Sequence, residues 1–134
     1  MIVVDASALL DVLLRTSSAQ AVEDRLFARQ ETLHVPHLLD VEVAQVLRRY
    51  SANGEIDQDR GRMALADLAD FPLHRYPHDV LLPRVWELRN NLTAYDAVYV
   101  ALAEALDAPL LTSDQRLATA AGHAARIELV SSER

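Results

Sequence analysis

The chain has 134 residues, enough for one domain with its own core, and half of them are hydrophobic (51%) with a quarter charged (25%), as in a globular rather than a disordered protein. It contains no cysteine, which excludes a disulfide framework, a thiol nucleophile and a thiolate metal site, and suits a reducing cytosol. The net charge is −7, all thirteen basic residues are arginine, and bulk electrostatics therefore disfavours nucleic acid while the lack of lysine excludes any mechanism that needs one.

Ile2-Val3-Val4 reads as a buried strand, followed by helices over about Ser7 to Arg15 and Ser18 to Arg29. Met1 runs directly into this strand without a basic, apolar leader pattern, so a cytoplasmic location is expected. Leu33-His34-Val35 is a short strand closed by Pro36. A helix from His37 to Ser51 is stopped by Asn53-Gly54, and Asp57 caps another that ends near Asp70. Leu73-His74-Arg75 is a strand between Pro72 and Pro77. Helices follow over Asp79 to Arg89 and Tyr95 to Leu106, then a strand at Leu110-Leu111-Thr112, a short helix after Asp114 and a last strand from Arg126 to Val130. The longest strongly apolar run, Ala97 to Ala103, is too short to span a bilayer, so no membrane association is expected. Strands spaced by helices predict βαβ units and a parallel sheet covered on both faces.

In such a sheet, sites form beyond the carboxyl ends of the strands. Asp5 directly follows the first strand, and Asp114 follows the strand ending at Thr112 after one residue. Each also suits a helix cap, as do Ser7 and Ser113. Asp96 lies on a helix that is apolar nearly all round, in a row with Tyr99, Val100 and Ala103, so it points inward; Thr93-Ala94-Tyr95-Asp96 also fits a capping box. Glu42 sits at the margin of the stripe Leu39, Val43, Val46, Leu47 and Tyr50, whereas Asp40 reads as a solvated acid. Converging carboxylates repel by roughly 4 kcal/mol per pair at about 4 Å, and must protonate, separate or hold a cation. An all-oxygen donor set favours Mg²⁺ or Mn²⁺ over zinc, and such ions serve phosphoryl chemistry by lowering the pKa of a water. Thr112 and Ser7 are candidates for orienting a water or carboxylate. The five histidines read as packing or surface residues.

Four segments in order carry a resemblance. Ile2 to Leu9 with Asp5, Leu38 to Ala44 with Glu42, Leu92 to Ala103 with Asp96, and Leu111-Thr112-Ser113-Asp114 are similar to the motifs of the PIN-domain ribonucleases, and in particular of the VapC toxins of VapBC toxin–antitoxin systems. The resemblance covers nearly the whole chain. It implies a single PIN domain over residues 1–134, with a three-layer α/β/α sandwich around a parallel sheet of about five strands. It implies Mg²⁺- or Mn²⁺-dependent endoribonuclease activity that leaves a 5′-phosphate and a 3′-hydroxyl, with Asp5, Glu42, Asp96 and Asp114 as the catalytic, metal-binding acids. A cognate VapB-type antitoxin and a homodimer are implied as well. Leu117 and Ala118 stand where some relatives carry a further acid. Arg49, on the helical row of Glu42, with Arg15, Arg116, Arg48 and Arg89, are the candidate RNA phosphate contacts. The alternatives are a PIN nuclease outside any toxin system, a non-catalytic module on the same fold, and a phosphoacceptor domain, which the absence of lysine disfavours.

Overall fold

The computed structural model describes residues 1–130. Its elements run β1 (Ile2–Val4), α1 (Ala6–Leu13), α2 (Ala19–Phe27), β2 (Leu33–Pro36), α3 (Leu38–Ala52), α4 (Gln58–Asp70), β3 (Leu73–Tyr76), α5 (Leu82–Glu87), α6 (Ala94–Leu106), β4 (Leu110–Thr112), α7 (Gln115–Thr119) and β5 (Ile127–Leu129). The five strands form one sheet in the order β3-β2-β1-β4-β5. Every pairing is parallel, with Val3 opposite His34 on one side and Leu110 on the other. The expected α/β class and parallel five-stranded sheet are therefore found.

The central strand explains the apolar opening of the sequence. Ile2, Val3 and Val4 are fully buried, because β1 has a strand on each side and a helical layer on each face. Burying side chains of this size contributes roughly 1.5–3 kcal/mol each. Helices α1 to α4 pack on one another as one layer, α5 packs on α6, and α6 lies against β1, β2 and β4; right-handed crossovers in this strand order put these two groups on opposite faces. Helix α6 has a long buried run: Ala97 through Ala103 are all buried, which is why its sequence carries no polar face over that stretch.

One expected helix differs. The stretch from Asp79 to Arg89 is not continuous: Asp79–Leu81 forms a 3-10 turn, and the α-helix begins at Leu82 and ends at Glu87. Pro83 lies in the first turn of α5, where its missing N–H leaves no bond unmade and its fixed φ favours a helix start. Among the described residues, no helix is long and apolar enough to cross a membrane.

The chain leaves β1 toward β2 on one side and returns from β3 to β4 on the other. The order therefore reverses between β1 and β4. The crevice beyond the carboxyl ends of these two strands is the topological switch point, where ligands of open α/β sheets bind.

Candidate active site

Asp5 opens α1 at this crevice. Its backbone is extended (φ −90°, ψ 173°) and its Oδ1 accepts from the Ala8 amide at 3.0 Å, so it is the helix cap that its position after a strand suggests. It is also more than a cap. Ser7 Oγ donates to Oδ1 at 2.7 Å and Thr112 Oγ1 donates to Oδ2 at 2.5 Å, and the residue is only 5% exposed. Burial pushes Asp5 up to about 6 against these three hydrogen bonds, and the charge of Asp96 pushes the same way.

Asp114 enters from the other side of the switch point as the cap of α7. It accepts from the Arg116 amide at 2.9 Å, while its own amide donates to Thr112 Oγ1 at 3.0 Å. Thr112 is fully buried and so joins two acids, donating to Asp5 and accepting from Asp114. Ser7 has a comparable place, 3.3 Å from Thr112 Oγ1 and accepting from the Ser113 amide at 3.0 Å. Both expected hydroxyls thus touch the acid set.

Asp96 lies in the first turn of α6, capped by Thr93, whose Oγ1 accepts from the Asp96 amide at 3.2 Å. Burial raises its pKa, as does the charge of Asp114, while Arg116 and Thr93 oppose. Glu42 comes from α3, in the opposite helical layer. Burial raises its pKa, and Asp96 and Asp5 add to the rise, against a 2.6 Å hydrogen bond that its Oε1 accepts from the Tyr99 hydroxyl. The four acids therefore come from four elements and form one connected field. Each carboxylate that titrates upward does so first through burial and then through another member of the set.

No three Asp, Glu or His side chains among the described residues already stand at metal-ligand spacing. The donor set nevertheless fits a hard divalent cation. It is all oxygen, burial and then neighbouring carboxylates hold Asp5, Glu42 and Asp96 above their ordinary pKa, and Mg²⁺ keeps several waters while using one or two carboxylates.

The arginines divide. Arg116 is nearly fully exposed, lies 3.6 Å from Asp114 and acts on Asp96. Arg49 lines two hollows that also contain Glu42. Arg15 is not brought to the acids. It follows α1 in the left-handed region (φ 55°), pairs with Glu23 at 2.9 Å and lines a hollow with Phe27, Phe71 and Pro72 near the amino end of β3. Arg89 lies over the Trp86 ring, 4.5 Å from its centroid. Asp40, read as solvated, makes a two-bond ion pair with Arg75 at 2.8 and 3.1 Å. His34 packs as expected: it is buried, stacks on His74 at 4.9 Å and hydrogen-bonds Thr32 and Tyr76.

Sequence reasoning missed two partners. Tyr99 lies three residues from Asp96 on the same helical row, so that spacing was the available sign of its reach toward the acids. Asp11, four residues after Ser7 on α1, accepts from Ser113 Oγ and, at 2.7 Å, from Thr16 Oγ1. It fixes the segment between Thr112 and Asp114 from the side of the first helix.

The PIN domain family matches residues 2–123, a span that contains all four acids. The chain belongs to this family. Within the PIN domains it falls among the VapC ribonucleases. Ribonuclease VapC1 of Mycobacterium tuberculosis is 46% identical over 129 residues, covering 96% of each chain. Ribonuclease VapC9 of the same organism is 49% identical over 117 residues, covering 87% of this chain and 88% of its own. In fold, this PIN domain is similar to the crystal structure of VapBC2 from Rickettsia felis bound to a DNA fragment from their promoter, with a TM-score of 0.69 at 13% identity over 97% of this chain and 99% of that one. The phosphoacceptor alternative is thereby set aside.

Proposed function

We propose that this PIN domain is the endoribonuclease toxin of a VapBC-type pair, hydrolysing RNA phosphodiester bonds at the switch-point crevice with Mg²⁺ or Mn²⁺ held by Asp5, Glu42, Asp96 and Asp114. The observation that carries the proposal is the connected field of these acids, in a chain whose relatives are named ribonucleases. When bound, the cation supplies an activated water and positive charge at the phosphoryl oxygens.

The chain's own residues supply position. Thr112 and Ser7 donate to opposite oxygens of Asp5 and fix its carboxylate plane. Tyr99 fixes Glu42. Arg116 and Arg49 flank the acids and take RNA phosphates, which gives a chain of net charge −7 local points of attraction. Residues 1–134 act as one domain, in the cytoplasm, where the RNA is.

An antitoxin that covers the crevice is the partner of this reading. The likeness to a toxin–antitoxin complex supports it, as does an acid cluster that a cationic side chain would neutralise. Exposed Val80, Leu82 and Trp86 on and beside α5 offer the apolar surface that a homodimer needs.

The test is cleavage of total cellular RNA by purified protein in Mg²⁺, Mn²⁺ or EDTA, beside Asp96→Asn. Discrete fragments that require the metal and vanish with the variant are expected. Fragments of equal yield from Asp96→Asn would overturn the site, and a PIN nuclease outside any toxin system is distinguished by the absence of a neighbouring antitoxin reading frame.

A further inference from the structure

Helix α3 has two useful faces. Leu39, Val43 and Leu47 are buried against the sheet. A second row, Leu38, Val41, Glu42, Gln45, Val46 and Arg49, repeats at helical spacing and faces a hollow of about 490 Å³ whose other wall is Tyr95 of α6. Tyr95 is 62% exposed and Val41 67% exposed. No hydrogen bond engages the Tyr95 hydroxyl among the described residues. This hollow adjoins the acids through Glu42, which lines it, and Tyr95 directly precedes Asp96 on α6.

We infer that this hollow holds one unpaired base of the RNA substrate, stacked on the Tyr95 ring, with the Gln45 amide at the base edge and Arg49 on the adjoining phosphate. The inference rests on the ribonuclease reading above.

Three physical points favour a base over other occupants. First, a protein of net charge −7 repels a polyanion at long range, so affinity must come from contacts that do not depend on net charge. Stacking on an aromatic ring is such a contact, and single-stranded RNA offers splayed bases for it. Second, the lining is mixed rather than uniformly apolar: a flat face at Tyr95 and Val41, an amide at Gln45 and one cation at Arg49. That mixture matches a nucleotide, which has a π-face, a hydrogen-bonding edge and a phosphate. Third, a second hollow of about 350 Å³, between α1 and α3, shares Glu42, Val46 and Arg49 with the first. The ridge between them carries Glu42, one of the four acids. A strand whose phosphate lies at the acids crosses this ridge and places a flanking nucleotide in the Tyr95 hollow.

The test measures binding of a short, labelled single-stranded RNA to the full chain, with Asp5→Asn included to prevent cleavage. In that background, Tyr95→Phe should bind as the parent, and Tyr95→Ala should bind about 5-fold to 150-fold more weakly, the range that loss of one stacked base produces. Arg49→Gln should lower the salt dependence of binding by about one phosphate contact, whereas Tyr95→Ala should leave that dependence unchanged. A duplex of the same sequence should compete poorly, since its bases are already stacked. The exposed ring makes Tyr95→Ala safe for folding, and an unchanged melt checks this. Equal affinity of the Ala and Phe variants, while the unsubstituted chain cleaves total RNA, overturns the inference and leaves the ribonuclease reading intact. Unchanged RNA affinity together with lost retention of an antitoxin co-expressed from the neighbouring reading frame also overturns it, and assigns the hollow to a protein segment. Failure of the unsubstituted chain to cleave total RNA at all overturns the ribonuclease reading and the inference with it.

Discussion

The Tyr99 hydroxyl donates to Glu42 Oε1 at 2.6 Å, joining α6 on one face of the sheet to α3 on the other across the carboxyl ends of the strands. Tyr99 is almost fully buried, and burial together with the Glu42 charge pushes its hydroxyl upward, so it remains a donor. Tyr99→Phe keeps the ring and removes only that donor. The half-buried Glu42 then loses the hydrogen bond from Tyr99 that holds its pKa down. Losing a bond to a charged group costs about 1.5–3 kcal/mol when the acceptor stays buried, and a value near the lower end is expected in urea unfolding at neutral pH. Calorimetric titration of the same variant should show weaker Mn²⁺ binding. Wild-type Mn²⁺ affinity would mean that Tyr99 only packs the core.

Asp5 makes the metal-free protein pH-sensitive. Its folded value of about 6 lies above its ordinary value of 3.8, so the folded state binds the proton more tightly and gains stability as pH falls through 6. The full gain is about 3 kcal/mol, of which about 1 kcal/mol develops between about pH 7 and pH 5. Glu42 and Asp96 are shifted the same way. His34 opposes them, because burial and then His74 lower its pKa, and acidification through 6.5 favours the unfolded chain. The measurement is therefore a difference: urea midpoints of the wild type and Asp5→Asn across this range in EDTA. The advantage of the variant should shrink by about 1 kcal/mol as pH falls. Parallel curves would show that Asp5 ionises as an exposed carboxylate does.

The frame was readable in the sequence because its signals are local. The run Ile2-Val3-Val4 followed by Asp5, the all-apolar stretch after Asp96, and the caps at Asp57 and Thr93 each state their own role, and the structure places each accordingly. Pro83 is a local signal too: in the first turn of α5 it marks a helix start rather than the interior of a helix running from Asp79. What could not be read was contact between layers. Glu42 looks like an ordinary margin residue until Tyr99, 57 positions away, reaches it, and Ser113 gains its meaning from Asp11 on another helix. Arg15 shows the converse: closeness in sequence to the first motif does not bring it to the acids, because α1 carries it away from the crevice.

Thr112 is a sensitive position for its size. Its hydroxyl is fully buried and serves Asp5 Oδ2 and the Asp114 amide together. Thr112→Val preserves volume and strand preference but leaves both partners without that bond. A loss of about 1–3 kcal/mol is expected, and Asp5 should titrate higher than before. Carbon-detected NMR titration of the Asp5 carboxyl checks the second point. A carboxyl that titrates as in the wild type would show that the hydroxyl does not hold the charge.

Divalent metal should act as a stabilising ligand, because the folded chain gathers carboxylates that the unfolded chain keeps apart. With free Mg²⁺ at about one hundred times its Kd, the expected gain is about 2.7 kcal/mol, on the order of 10 °C in Tm for a domain of this size. The cation also favours the ionised acids, so the upward shift of Asp5, Glu42 and Asp96 should reverse and the acid-side gain in stability should disappear. Asp5→Asn and Asp96→Asn each remove one charge without volume, and both should lose most of the Mg²⁺-dependent rise in Tm while melting cooperatively in EDTA. A rise of equal size in both variants would place the ion elsewhere on this acidic surface and remove the crevice as the metal site.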